Sequence, residues 1–181
     1  MAFILEDGSG LSDSNAFVSV AEADAYHALR GNNAWTTYPL GDKEGAVIRA
    51  TSYLSKSIAW KGYRVKGRNQ ALAWPRGNVT DCEGYGVPAD VVPWEVADAT
   101  AEVALREAAT PGVMTVDVTM TDSQGRRIKS ETVGALSVTY ELSSSSSASI
   151  PILPIVDSLL ACLVESGAGA NSMLHGRSYR V

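Results

Sequence analysis

Apolar residues recur at helical spacing in four stretches of the chain. The first follows Ser19-Val20-Ala21-Glu22, a capping box in which the serine hydroxyl accepts from a free helix amide and the glutamate reaches back to the serine amide. It predicts a helix from Ser19 to about Leu29, ended by Gly31-Asn32-Asn33. In the second, Val47, Ala50, Leu54 and Ile58 form a stripe widened by Ala46 and Tyr53, with Asp42 as N-cap and Lys43, Arg49 and Lys56 on the polar face. In the third, Pro93 takes the first helical position, and Trp94, Ala97, Ala101, Leu105 and Ala108 line the inner face as far as Pro111-Gly112. The fourth places Ile152, Ile155, Leu159 and Leu163 on one face, predicting a helix over about Ile155 to Glu165 that Gly167-Ala168-Gly169 ends.

Elsewhere the period changes. Met114, Val116, Val118 and Met120 alternate with Thr115, Asp117, Thr119 and Thr121, the period of a strand with one face on a core. Asp122-Ser123-Gln124-Gly125 supplies a turn, Arg126 to Val133 the returning arm, and Leu136, Val138, Tyr140 and Leu142 alternate again. From Trp60 to Val92 neither period holds, and Gly62, Gly67, Gly77, Gly84, Gly86, Pro75 and Pro88 punctuate a long loop, a usual place for a binding element. The run Ser143 to Ser147 reads as a flexible linker. The expected fold is mainly α with a small β element (α+β). It is a bundle of about four helices with a β-hairpin or three-stranded meander inserted at about 114–142. One domain covers 1–166, with a Ser-rich loop at 143–149, and a flexible C-terminal tail covers 167–181.

Composition narrows the function. A chain of 181 residues, 45% hydrophobic, is long enough to bury a core and short enough for a single domain. Cys82 and Cys162 lie far apart with no His or second Cys nearby, so they read as free thiols in a reducing compartment and not as a zinc cage. No apolar run is long enough to span a bilayer, and Glu6 and Asp7 stand where a signal peptide carries bases, so a soluble protein made in the cytosol is expected, without a membrane partner.

The residues of catalysis are scarce. There is no P-loop string, and Gly8-Ser9-Gly10 opens no dinucleotide-binding unit, so it reads as a turn. His27 lies among Ala25, Tyr26 and Ala28 and reads as a partly exposed or core-edge side chain. His175 sits in a basic tail, too loosely fixed for a catalytic base. Glu95, Asp98 and Glu102 share a helix face, which reads as solvated. No enzyme, cofactor or metal site is expected.

Charge is unevenly placed. The net charge is −5, yet Gly45 to Thr80 holds Arg49, Lys56, Lys61, Arg64, Lys66, Arg68 and Arg76 and no acid, with Tyr53, Trp60, Tyr63 and Trp74 interleaved. Cations for phosphates and aromatic faces for bases make a single-strand binding surface. On the same sequence Tyr53 falls on a core face and Trp74, beside Leu72, looks like a buried anchor. The cations could equally meet the acids of a neighbouring subunit.

The stretches Ile4-Leu5-Glu6-Asp7-Gly8-Ser9-Gly10-Leu11, Asn15 to Tyr26, Arg49-Ala50-Thr51-Ser52-Tyr53-Leu54, Gly62-Tyr63-Arg64, Gln70-Ala71-Leu72-Ala73-Trp74-Pro75-Arg76 and Val156-Asp157-Ser158-Leu159-Leu160 together resemble a known family. It is that of head–tail connector (adaptor, or head-completion) proteins of tailed bacteriophages, some members of which are labelled DnaT-like single-stranded DNA-binding proteins. The resemblance implies a structural virion protein at the neck. There it would form a homo-oligomeric ring, commonly of twelve subunits, between the portal protein and a tail or stopper (head-closure) protein, and DNA would pass through the lumen without sequence-specific binding. It implies that the C-terminal tail docks on the portal, here Asn171, Leu174, His175, Arg177, Tyr179, Arg180 and Val181. Lys61, Tyr63, Arg64, Lys66, Arg68, Trp74 and Arg76 become either inter-subunit contacts, with Glu95, Asp98 and Glu102 as acidic partners, or the DNA contacts of a DnaT-like protein.

Overall fold

The structure is a computed structural model and describes residues 2–115, 132–133, 136–137 and 153–165. The helices are α1 (Val20–Leu29), α2 (Asn33–Thr36), α3 (Leu40–Ser57), α4 (Trp94–Ala109) and α5 (Pro154–Leu160). Two short antiparallel pairs accompany them: β1 (Tyr63–Arg64) with β2 (Arg76–Gly77), and β3 (Thr132–Val133) with β4 (Leu136–Ser137). The fold is therefore the expected mainly helical α+β class. The β3–β4 pair joins the second and third arms of the expected meander. Its first arm beyond Thr115, the Ser-rich loop and the tail with its seven candidate residues lie outside the described residues. Where the first arm was expected to begin, Val113–Thr115 forms a 3-10 turn.

α1 is capped as its sequence requires. The Ser19 hydroxyl accepts from the Glu22 amide, and the Glu22 carboxylate accepts from the Ser19 amide at 2.8 Å. α3 begins three residues earlier than expected: Pro39, its φ fixed by the ring at −67°, takes the cap position and Asp42 falls in the first turn. Its inner face holds Ala46, Val47, Ala50 and Leu54 of the stripe read from the sequence and adds Thr51, whereas Tyr53 is only half-buried. Pro93 is likewise the residue before α4, one position outside the expected place. α5 stops at Leu160, and the chain turns so that Val164 bridges Trp60.

α4 is the centre of the molecule. It packs along α3, takes α5 on another side and also touches α1. Val96, Ala99, Thr100, Ala101, Val103 and Ala104 are all buried, and the small residues let neighbouring backbones approach closely. This corrects the expected stripe, because Trp94, its largest member, is 66% exposed at the helix start. It also corrects the expected solvated acidic face. Glu102 is buried, accepts from the Tyr26 hydroxyl at 2.9 Å and pairs with Arg106. Asp98 faces Arg30, whose guanidinium covers the Tyr26 ring at 3.5 Å.

His27 is a core residue, not an edge one, with no exposed surface. Its Nε2 meets the Ala101 carbonyl at 3.1 Å and its Nδ1 the Asn32 side-chain amide at 3.1 Å. That pairing assigns the neutral ring with its proton on Nε2. Burial is the main cause that lowers its pKa below the ordinary 6.5; Arg106 and Arg30 add to it, while the Ala101 bond and Glu102 oppose it. The unfolded chain therefore binds this proton more readily than the folded one. The stabilising contribution is whole above pH 6.5 and declines as the pH falls below it toward the depressed value. Urea midpoints at pH 7.5 and pH 5 should differ more for the native chain than for His27→Gln. An equal pH dependence in the two would refute this.

Both cysteines are joined. Cys82 and Cys162 form a disulfide with Cα atoms 4.9 Å apart, which overturns the expectation of two free thiols. The sequence could not show that the loop around Cys82 folds back on the turn after α5. That approach is built by the Trp60–Val164 bridge and by the Lys61 ammonium, which donates to the Cys162 carbonyl at 2.6 Å and the Thr80 carbonyl at 3.3 Å.

Candidate nucleic-acid interface

The segment expected to be one long loop contains the β1–β2 ribbon, and a single side chain organises it. The Arg76 guanidinium donates to the carbonyls of Lys61, Gly62, Trp60 and Ala73, at 2.6 to 3.3 Å. Five N–H groups in a rigid fork suit this role, which satisfies carbonyls that a two-residue ladder leaves without partners. Gln70 completes the turn between the strands, donating to the carbonyls of Leu72 and Pro75 at 3.0 Å. Beneath the ribbon Trp60 and Trp74 meet edge to face, with ring centroids 5.6 Å apart. The Trp74–Pro75 peptide is cis.

These contacts sort the basic residues. Arg76 and Lys61 hold carbonyls, and Arg49 pairs with the buried Glu107 at 2.8 Å. By contrast, no hydrogen bond or ion pair within the described residues engages the side chains of Lys56, Arg64, Lys66 and Arg68. They lie at the end of α3, on β1 and in the turn beyond it. The aromatics divide in the same way. Trp60 and Trp74 are buried, as the anchor reading of Trp74 expected, Tyr53 is half-buried, and Tyr63 is 62% exposed. Trp74 is therefore no surface contact. Tyr63 lies opposite Gly77 in the ladder, and its ring rests where a Cβ at Gly77 would sit, 3.0 Å from the ring carbon Cζ. A side chain at Gly77 would require the exposed ring to give by a few tenths of an ångström.

Successive residues of a strand point to opposite faces, so Tyr63 and Arg64 do not share one. Arg64 instead faces a cleft of about 280 Å³ between α3 and the ribbon. Lys56, Ser52 and Ser55 line it from α3, Ser14 and Asn15 from the N-terminal loop, and Ile48, Ala71 and Leu72 form apolar walls. The N-terminal wall is rigid. The buried Glu6 carboxylate accepts from the amides of Gly8, Gly10 and Leu11 and from the Ser14 hydroxyl, at 2.7 to 3.1 Å. Ser52 and Ser55 carry no charge or motif that marks them in the sequence; only the packing of ribbon on helix reveals them.

The whole chain, residues 1–181, matches the family described as "putative DnaT-like ssDNA binding protein". The chain belongs to this family. No curated protein and no solved structure matches it. The description of the DnaT-like family names single-stranded DNA and no connector role. Among the described residues, no helix is long and apolar enough to cross a membrane, and no three His, Cys, Asp or Glu side chains are grouped to hold a metal ion.

Proposed function

We propose that the protein binds single-stranded DNA through Lys56, Arg64, Lys66 and Arg68, with Tyr63 as a stacking face. The observation that carries this reading is the sorting of the basic segment. Three cations are engaged by the fold, and these four have no partner within the described residues. Membership of the DnaT-like family supports the same reading. Each phosphate neutralised on a single strand contributes about −0.7 to the slope of log K against log salt, so four contacts predict a slope of about −3. Anisotropy of a labelled (dT)12 at several salt concentrations measures it. Lys66→Glu with Arg68→Glu should weaken binding at least tenfold, and Tyr63→Ala several-fold through lost stacking. Absence of salt-dependent binding at micromolar protein would sink this reading.

A second reading is the head–tail connector ring joined to portal and tail proteins, with 171–181 as the portal-docking tail. Such a ring would cover some of the large apolar side chains Leu29, Leu40, Tyr85 and Trp94, each at least 63% exposed and outside the basic segment. Its charge pairing is narrower than the sequence suggested. Asp98 and Glu102 already face Arg30 and Arg106, which leaves Glu95 of the three acids, and reversing Arg76 would undo the ribbon instead of probing a ring. Rings in electron micrographs, formed alone or on mixing with a portal, without oligonucleotide binding, would decide for the connector.

A further inference from the structure

We propose that the cleft between α3 and the β1–β2 ribbon seats one phosphoryl group and the sugar attached to it, held by Lys56, Arg64 and the hydroxyls of Ser52 and Ser55. It rests on the single-strand reading for the macromolecule but not for the seat itself.

Two independent observations point to an anion. Lys56 and Arg64 reach the same cleft from different elements, and neither side chain has a counter-charge or hydrogen-bond acceptor within the described residues. Arg64 also stands directly across the ladder from Arg76. Like charges opposite one another destabilise a ribbon, and Arg76 cannot turn away because four carbonyls hold it. An anion beside Arg64 would relieve that repulsion.

The remaining lining fits a phosphoryl group. Ser55 Oγ accepts from the Ala73 amide at 3.4 Å and keeps its own hydrogen to donate, while the Ser52 hydroxyl has no other partner among the described residues. Two hydroxyl donors between an ammonium and a guanidinium match oxygens spread tetrahedrally about phosphorus better than a planar carboxylate. Ile48 and Leu72 give the cleft apolar walls, suited to the carbon face of a sugar. The volume of about 280 Å³ is sufficient for one such unit.

The test uses the full chain, labelled with 15N, together with Ser52→Ala, Lys56→Ala/Arg64→Ala and the control Lys66→Ala/Arg68→Ala. Inorganic phosphate should shift the amides of 52, 55 and 64 in the native protein and in the control. It should not shift them in Lys56→Ala/Arg64→Ala. For labelled (dT)12, Lys56→Ala/Arg64→Ala should weaken binding about tenfold or more and flatten the salt slope by about 1.4, and Ser52→Ala should weaken it several-fold. A 5′-phosphate that tightens binding assigns the seat to a strand terminus; equal binding with and without it assigns an internal diester. Phosphate shifts at the cleft without any oligonucleotide binding would keep the seat and remove the single-strand reading. Oligonucleotide binding that depends only on Lys66 and Arg68 would keep that reading and overturn the seat. A change of oligomeric state in Lys56→Ala/Arg64→Ala, with phosphate and oligonucleotide responses intact, would give the cleft to a carboxylate of a second copy and overturn it too.

Discussion

Replacing Glu107 by alanine should cost about 3–5 kcal/mol of stability, from two amides that lose their acceptor and the cavity left behind. The Glu107 carboxylate, 1% exposed, accepts from Arg49 Nε at 2.8 Å, from the Gly112 amide at 2.7 Å and from the Met114 amide at 3.0 Å. It therefore joins α3 to the end of α4 and closes the 3-10 turn that follows. Alanine would leave two amides without an acceptor, each costing about 1–3 kcal/mol when buried, and a cavity in addition. Arg49→Met should also be destabilising, because it leaves the buried carboxylate without its counter-charge, although both amides would keep that carboxylate as their acceptor. Urea unfolding followed by circular dichroism gives both values. A loss below about 1 kcal/mol for Glu107→Ala would show that the turn finds other acceptors.

Opening the disulfide should have a comparable effect by a different route. Cys82 and Cys162 are 80 residues apart, and closing a loop of that size in the unfolded chain is worth about 4.5 kcal/mol in the chain-entropy account. Cys82→Ser/Cys162→Ser should unfold at lower denaturant, and a thiol reductant should lower the midpoint of the native chain but leave that of the double variant unchanged. Reduction should also loosen the Lys61 contacts to Cys162 and Thr80 and, through them, the approach to the ribbon. Titration of two free thiols in the native protein under non-reducing conditions would contradict the bond.

How much of this was legible in the sequence depends on the range of the interactions. The capping box of α1 and the stripe of α3 are local signals; α1 stands where its box puts it, and α3 follows its stripe but begins three residues earlier than its expected cap. α4 was found but its face was misread. A helix covered by α1, α3 and α5 has no single stripe, and the largest apolar residue, Trp94, lies at its uncovered end. Glu102 and Glu107 carry charge, so a pattern-based reading places them outside; their partners Tyr26, Arg106 and Arg49 exist only once the helices pack. β1 and β2 are two residues each, too short to show a period, and an arginine bonded to carbonyls holds them together. The candidate interface was visible as a stretch of charge, yet nothing local distinguishes Arg76, fixed within the fold, from Arg64, which faces the cleft.

The placement of the four indoles gives the molecule an optical consequence. Trp35, Trp60 and Trp74 are at most 5% exposed, and Trp94 is 66% exposed. Emission at long wavelength therefore comes from Trp94, and Trp94→Phe leaves a spectrum of core indoles alone. Two of these, Trp60 and Trp74, lie under the ribbon, and the third packs on His27 with centroids 4.8 Å apart. That one variant would carry two intrinsic reporters, one sensitive to opening of the ribbon and one to the protonation of a buried imidazole.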